Sequence, residues 1–268
     1  MQDGLINLIL VAGTPGSGKT EWIRSQFESI RSGSHPLYPA QTPVYFVPLG
    51  AEDLPIDGLR LAQGCDSLQV LMEMPEGELA APAVLYVECS YAIEVHHLPF
   101  PDELPIQRIA VLSPDARTED WQLWADEIRV GLTAPIAPPQ LWRLKLSGQI
   151  LDTASLEIFW QELCGGAYGC VDRAKGIFEV TEGIPVWIEY IRGRTSIVHG
   201  QAPLEMIELD FPRTLSGRPD RLSGIEVLGT DLDTAAIVGT LKDCLLSDQQ
   251  LLAYQAQLRS QCQEEENL

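Results

Sequence analysis

At 268 residues the chain is long enough for one large or two modest domains, each with a core of its own. A charged fraction of 21% beside 45% hydrophobic residues excludes a disordered chain. The 18 basic and 38 acidic residues leave a net charge of −20, which repels a phosphodiester backbone or an anionic membrane surface and argues against nucleic acid as a partner.

The first predicted element is "LINLILVA" (5–12), an apolar run suited to a strand buried on both faces, followed by a glycine loop and a helix from Thr20 to about Ile30. "TPVYFVPL" (42–49), "AVLYVEC" (83–89) and "RIAVLS" (108–113) read as further strands separated by helical or loop material, the rhythm of a parallel sheet. "GLTAPIAPPQ" (131–140), with three prolines, continues neither a helix nor a central strand and is the expected domain boundary. Beyond it lie "LWRLKLSG", a helix over about 153–163, short strands between about 168 and 210, "SGIEVLGT", and a terminal helical region from about Asp231 whose tail "QCQEEENL" is expected to fray. The expected fold is therefore α/β: a P-loop NTPase-like, mostly parallel sheet with helices over 1–135, then a smaller α+β domain over 141–268.

"GTPGSGKT" (13–20) fits G-x-x-x-x-G-K-[ST] at Gly13, Gly18, Lys19 and Thr20, and directly follows the first strand. Such a loop, here with Gly16 and Ser17 at its centre, curls backbone N–H groups around phosphates. Lys19 reaches their outer oxygens, and Thr20 offers a hydroxyl to Mg²⁺. Hydrolysis needs further parts, namely a carboxylate near the metal and a segment that senses the terminal phosphate. Glu88 closes the run "AVLYVE" and is placed at the carboxyl edge of a strand, where open α/β sheets bind ligands. Asp57 is expected in the loop after "VYFVPL", as a metal or switch contact.

In this order the motifs resemble the CobW family of P-loop GTPases, a family related to the HypB and UreG metal-insertion proteins, over nearly the whole chain. "AEDLPIDG" resembles its switch segment, ending in Ile56 and Asp57; "VECS" resembles its Glu-Thr-Ser-Gly strand end, with Glu88 and Ser90. "VDRAKGIFEV" resembles the Arg-x-Lys-Gly turn of the family's C-terminal domain at Arg173, Lys175 and Gly176, and "LSGIEVLGTDLD" the strand and turn before its closing helix. The resemblance implies GTP or ATP with Mg²⁺ as ligands, Lys19, Asp57 and Glu88 as catalytic residues, Thr20 and Asp57 as metal contacts, and a protein client docked through the C-terminal domain.

Two departures qualify it. The family's Gly-Cys-x-Cys-Cys metal element reads "QGCDSLQV" here, so Cys65 stands without its two companions, Ser67 and Leu68 replacing them; neither side chain substitutes for a thiolate, and zinc binding is not expected. Asp66, His96 and His97 are the side chains that could rebuild a site with Cys65. The guanine-reading Asn-Lys-x-Asp is replaced by Gly131, Leu132, Thr133 and Ala134, which removes the carboxylate that selects guanine and leaves GTP and ATP both open.

Two functions remain: an NTPase coupling hydrolysis to metal or cofactor insertion or protein assembly, and a nucleotide-gated binding or assembly factor with little hydrolysis. A small-molecule phosphotransferase would use the same loop, but no acceptor-binding signature accompanies it. Among other residues, Cys164 and Cys170 flank "GGAYG" as two buried thiols beside a glycine turn, Trp121 and Trp124 share one face of a helix, and Arg173 and Lys175 are either phosphate or partner contacts or solvated turn charges. The six cysteines form no C-x-x-C pair, no run is long enough for a membrane span, and Asp3 stands where a secretory leader is basic. A soluble cytoplasmic protein with reduced thiols is the expectation.

Overall fold

β1 (Ile6–Gly13) is the central strand of a six-stranded parallel sheet in the first half of the chain, flanked by β4 (Ala83–Cys89) and β5 (Ile106–Leu112). With β2 (Val44–Leu49), β3 (Leu68–Val70) and β6 (Glu127–Val130) the order is β3-β2-β4-β1-β5-β6. The computed structural model describes residues 6–51, 53–75, 79, 81–90, 93–95, 98, 105–133, 140–193 and 205–266.

Because successive strand residues point to opposite faces, β1 divides its apolar run between two cores. Ile9 and Val11 join Val44, Phe46, Val84 and Tyr86 under helix α1 (Lys19–Arg31), which buries Ile23, Phe27 and Ile30 at spacings of four and three. Leu8, Leu10 and Ala12 face the other way, with Tyr45, Val47, Leu85, Val87, Leu112 and Trp124. Helix α2 (Ile56–Gly64) adds Leu61, and just past its end Cys65, to the α1 side. Asp57 thus lies in the first turn of a helix rather than in the expected loop. The helix expected to carry Trp121 and Trp124 is only the short α3 (Glu119–Gln122); Trp124 lies beyond it, its ring edge-on to Trp121 at 5.9 Å and its indole N–H donating to the Val95 carbonyl at 3.1 Å.

The chain divides into two compact units, residues 1–137 and 138–268. The second is built on an antiparallel sheet ordered β11-β10-β9-β12-β7: β7 (Gln140–Lys145), β9 (Cys170–Val180), β10 (Pro185–Ile191), β11 (Ile207–Glu208) and β12 (Gly224–Thr230), with β8 (Ile150–Leu151) parallel to β9. Helix α4 (Thr153–Gly165) starts at Asp152, whose carboxylate accepts from the Ser155 N–H at 2.9 Å. It buries Leu156, Phe159, Trp160 and Leu163 in a core with Ala174, Phe178, Val186, Ile188, Ile225 and Val227. α5 (Thr234–Asp243) contributes Ile237 and Leu241.

Three expectations change in this unit. Arg173, Lys175 and Gly176 lie within β9, not in a turn, and the two cations are paired across strands: Lys175 meets Glu226 at 2.9 Å, Arg143 meets the other oxygen of Glu226 at 2.7 Å, and Arg173 meets Glu189 at 2.7 Å. Cys164 is buried, but Cys170 is exposed, and the Arg192 guanidinium donates to its sulfur at 2.8 Å. The terminal region is two helices, with α6 running Asp248–Glu266, so most of the tail expected to fray continues a helix.

Candidate functional site

Between β1 and α1 the backbone turns through glycines with positive φ: Gly13 at 146°, Gly16 at 75° and Gly18 at 92°. A side chain at Gly13 is excluded twice, because a Cβ there would also lie 1.8 Å from the Val111 carbonyl oxygen. The Ser17 N–H donates to the Thr14 carbonyl at 3.2 Å and its fully buried hydroxyl to the Val111 carbonyl at 2.7 Å, while the Ser113 N–H donates to the Thr14 hydroxyl at 3.1 Å. Ser17 therefore fastens the loop to β5. No side chain caps the start of α1, and the amides of its first turn point out of the helix end into the loop, an arrangement that favours an anion.

Lys19, 7% exposed, folds back so that its ammonium lies 3.5 Å from the Gly13 carbonyl and 3.4 Å from that of Thr14. Contacts this long are weak hydrogen bonds. The Thr20 hydroxyl donates to the Glu88 carboxylate, 2.9 Å from one oxygen and 3.2 Å from the other. Glu88 is 8% exposed, and the register of β4 places it opposite Val11, at the carboxyl edge of the sheet. Next to it the Cys89 thiol is pushed up to about 12, chiefly by burial, with the Lys19 charge acting against that. Asp57 lies in the first turn of α2, the helix that follows β2 in the chain.

A second segment, read in the sequence as a domain boundary and as the place of the missing guanine reader, meets the loop. As the chain leaves β6, the Gly131 N–H donates to the Leu112 carbonyl and the Leu132 N–H to the Ser17 carbonyl, both at 2.7 Å. A Cβ on Gly131 would lie 2.1 Å from the Ser17 oxygen, so the approach requires glycine. Thr133 follows, and Ala134, the last position of the missing guanine reader, lies outside the described residues. Ser113 was missed as well; nothing in its sequence context marks a backbone N–H that would hold Thr14.

Cys65 belongs to the core under α1 and α2, where burial raises its thiol pKa more strongly than Arg24 lowers it. Asp66 beside it is exposed, and His96 and His97 lie outside the described residues. Among the described residues no group of three His, Cys, Asp or Glu side chains is placed to hold a metal ion, and no helix is long and apolar enough to cross a membrane.

No protein-family model matches the chain. No curated protein matches it in sequence. Among solved structures it is similar to the Zn(II)-bound YjiA GTPase from E. coli, at 12% identity and a TM-score of 0.30, over 89% of this chain and 98% of that one. It is likewise similar to a Zn(II)-bound triple mutant of YjiA GTPase, at 11% identity and a TM-score of 0.31, over 91% of this chain and 99% of that one.

Proposed function

We propose that the chain is a P-loop protein that binds Mg²⁺-nucleotide at residues 13–20, with Gly13, Gly16, Gly18 and Lys19 around the phosphates and Thr20, Asp57 and Glu88 about the metal. The observation that carries this reading is the Thr20–Glu88 hydrogen bond. It joins residues 68 apart in sequence, one in the first turn of α1 and one next to the last residue of β4. The site fits its ligand chemically: a cation and a helix end for phosphate, and a hydroxyl beside a carboxylate for a hard divalent ion. Bound Mg²⁺ neutralises phosphate charge. Lys19 binds and orients the outer phosphate oxygens, Ser17 keeps the loop in shape, and Glu88 holds the Thr20 hydroxyl in place.

Of the two functional readings, a nucleotide-gated binding or assembly factor is favoured by Cys65, whose thiol packs in a hydrophobic core rather than facing an exchangeable metal. In this reading residues 141–268 form a CobW-like C-terminal domain that docks a protein client, and hydrolysis is slow or absent. Calorimetric titration with Mg·ATP and Mg·GTP, together with a phosphate-release assay, tests both levels. Lys19→Ala should weaken binding at least 30-fold, roughly the 2 kcal/mol of a charge-assisted contact. Unchanged affinity would remove the loop from the account, and rapid turnover would favour the NTPase over the gated factor.

A further inference from the structure

Strand β6 closes one edge of the parallel sheet: among the described residues it pairs with β5 alone, Leu112 lying beside Val130. The Gly131 N–H donates to the Leu112 carbonyl, which fixes the direction of the backbone groups along the strand. They alternate, so Glu127, Arg129 and Gly131 turn theirs to β5, while Ile128 and Val130 turn their N–H and C=O groups outward. Val130 is 79% exposed. An open edge that carries an apolar side chain is a template for another strand.

The charges of β6 decide which strand fits. Ile128 packs on the core that holds Trp124, and Glu127 and Arg129 stand on the opposite face as an ion pair, their side chains 37% and 51% exposed. A pair so exposed contributes little within its own strand. Let a second copy of β6 lie antiparallel against the first. Centred on Ile128, the two Ile128 residues exchange backbone hydrogen bonds, and Glu127 of each copy stands opposite Arg129 of the other. A centre at Glu127 would set two carboxylates face to face, and one at Arg129 two guanidiniums; like charges directly opposite are unfavourable. Only the Ile128 register gives every charge an opposite one across the strands as well as along its own, so the edge is complementary to itself.

We propose that the β6 edge is an interface for a second copy of this chain, paired antiparallel about Ile128 so that the two sheets join into one. Sedimentation velocity of the full chain without nucleotide, from about 5 to 200 μM, tests this over the range of a small interface. The parent should pass from monomer to dimer. Arg129→Glu and Glu127→Arg should each raise the dimer dissociation constant about tenfold or more, because either reversal makes both cross-strand pairs repulsive. Mixed in equal amounts, the two variants should pair with each other at least as tightly as the parent pairs with itself. Val130→Pro removes only an outward N–H and should abolish the dimer. A parent that stays monomeric through the whole range overturns the proposal, as does a dimer that either reversal leaves undiminished. Reversal variants that fold as the parent does yet fail to pair with each other overturn it too. Should a reversal unfold the chain, Val130→Pro decides: a folded variant that dimerises like the parent places the contact elsewhere and overturns the proposal.

Discussion

Glu88 reaches Thr20 because of a two-residue period. Val84, Tyr86 and Glu88 point to the α1 side of the sheet, and Leu85, Val87 and Cys89 to the other. Shifted by one residue, the carboxylate would face the opposite core. Glu88→Gln keeps an acceptor for the Thr20 hydroxyl but loses the charge. It should weaken Mg²⁺-dependent nucleotide binding about tenfold or more while leaving metal-free binding little changed, as titrations with and without EDTA would show. The buried thiols carry a pH dependence. Cys89 and Cys164 are each raised by burial from 9.0 to about 12, so between those values the unfolded chain loses protons that the folded chain keeps. Stability should therefore fall as pH rises from 9 towards 12, and be insensitive to these groups below pH 8. Urea midpoints at pH 7.5, 9 and 10.5 check this, and Cys164→Ala should flatten the alkaline slope.

At the scale of elements, the phosphate loop is held from behind by β5 and by the segment leaving β6. Gly131→Ala places a methyl group against the Ser17 carbonyl and should cost about 2 kcal/mol or more of stability, with weakened nucleotide binding, read by denaturant unfolding and titration. In the second unit, Glu226→Ala leaves Lys175 and Arg143 without the carboxylate that lies between them, in a setting where Lys175 is 4% exposed; about 3 kcal/mol of destabilisation is expected. These elements differed in how far the sequence showed them. Strands such as "AVLYVEC" were legible because a parallel strand buried on both faces is a continuous apolar run. α2 was not, because "IDGLRLAQG" carries two glycines and follows a proline, local signals that favour a loop and are overridden by the burial of Ile56 and Leu61. Strands were expected between about 168 and 210, but the pairing of the β9 charges was not legible, since their partners Glu189 and Glu226 lie on β10 and β12 and no local pattern records cross-strand pairing. Of the site, the loop and Glu88 were legible from spacing and strand position, whereas the docking of Gly131 and Leu132 depends on tertiary contact alone.

Over the whole molecule, two units each bury a core of their own, and a net charge of −20 spreads across the chain. Self-repulsion at that charge is screened by salt, so raising NaCl from about 0.05 to 0.5 M should raise the unfolding midpoint. A ligand confined to the loop between β1 and α1 binds only the folded first unit and should stabilise that unit by mass action, by about 2.7 kcal/mol at a hundred times its dissociation constant. The most direct test of the account is thermal unfolding of the full chain with millimolar Mg·ATP or Mg·GTP against the same nucleotide in EDTA. The midpoint should rise in a Mg²⁺-dependent way, and the rise should disappear in Lys19→Ala; an unchanged midpoint for the parent protein with either nucleotide would mean that residues 13–20 hold no nucleotide.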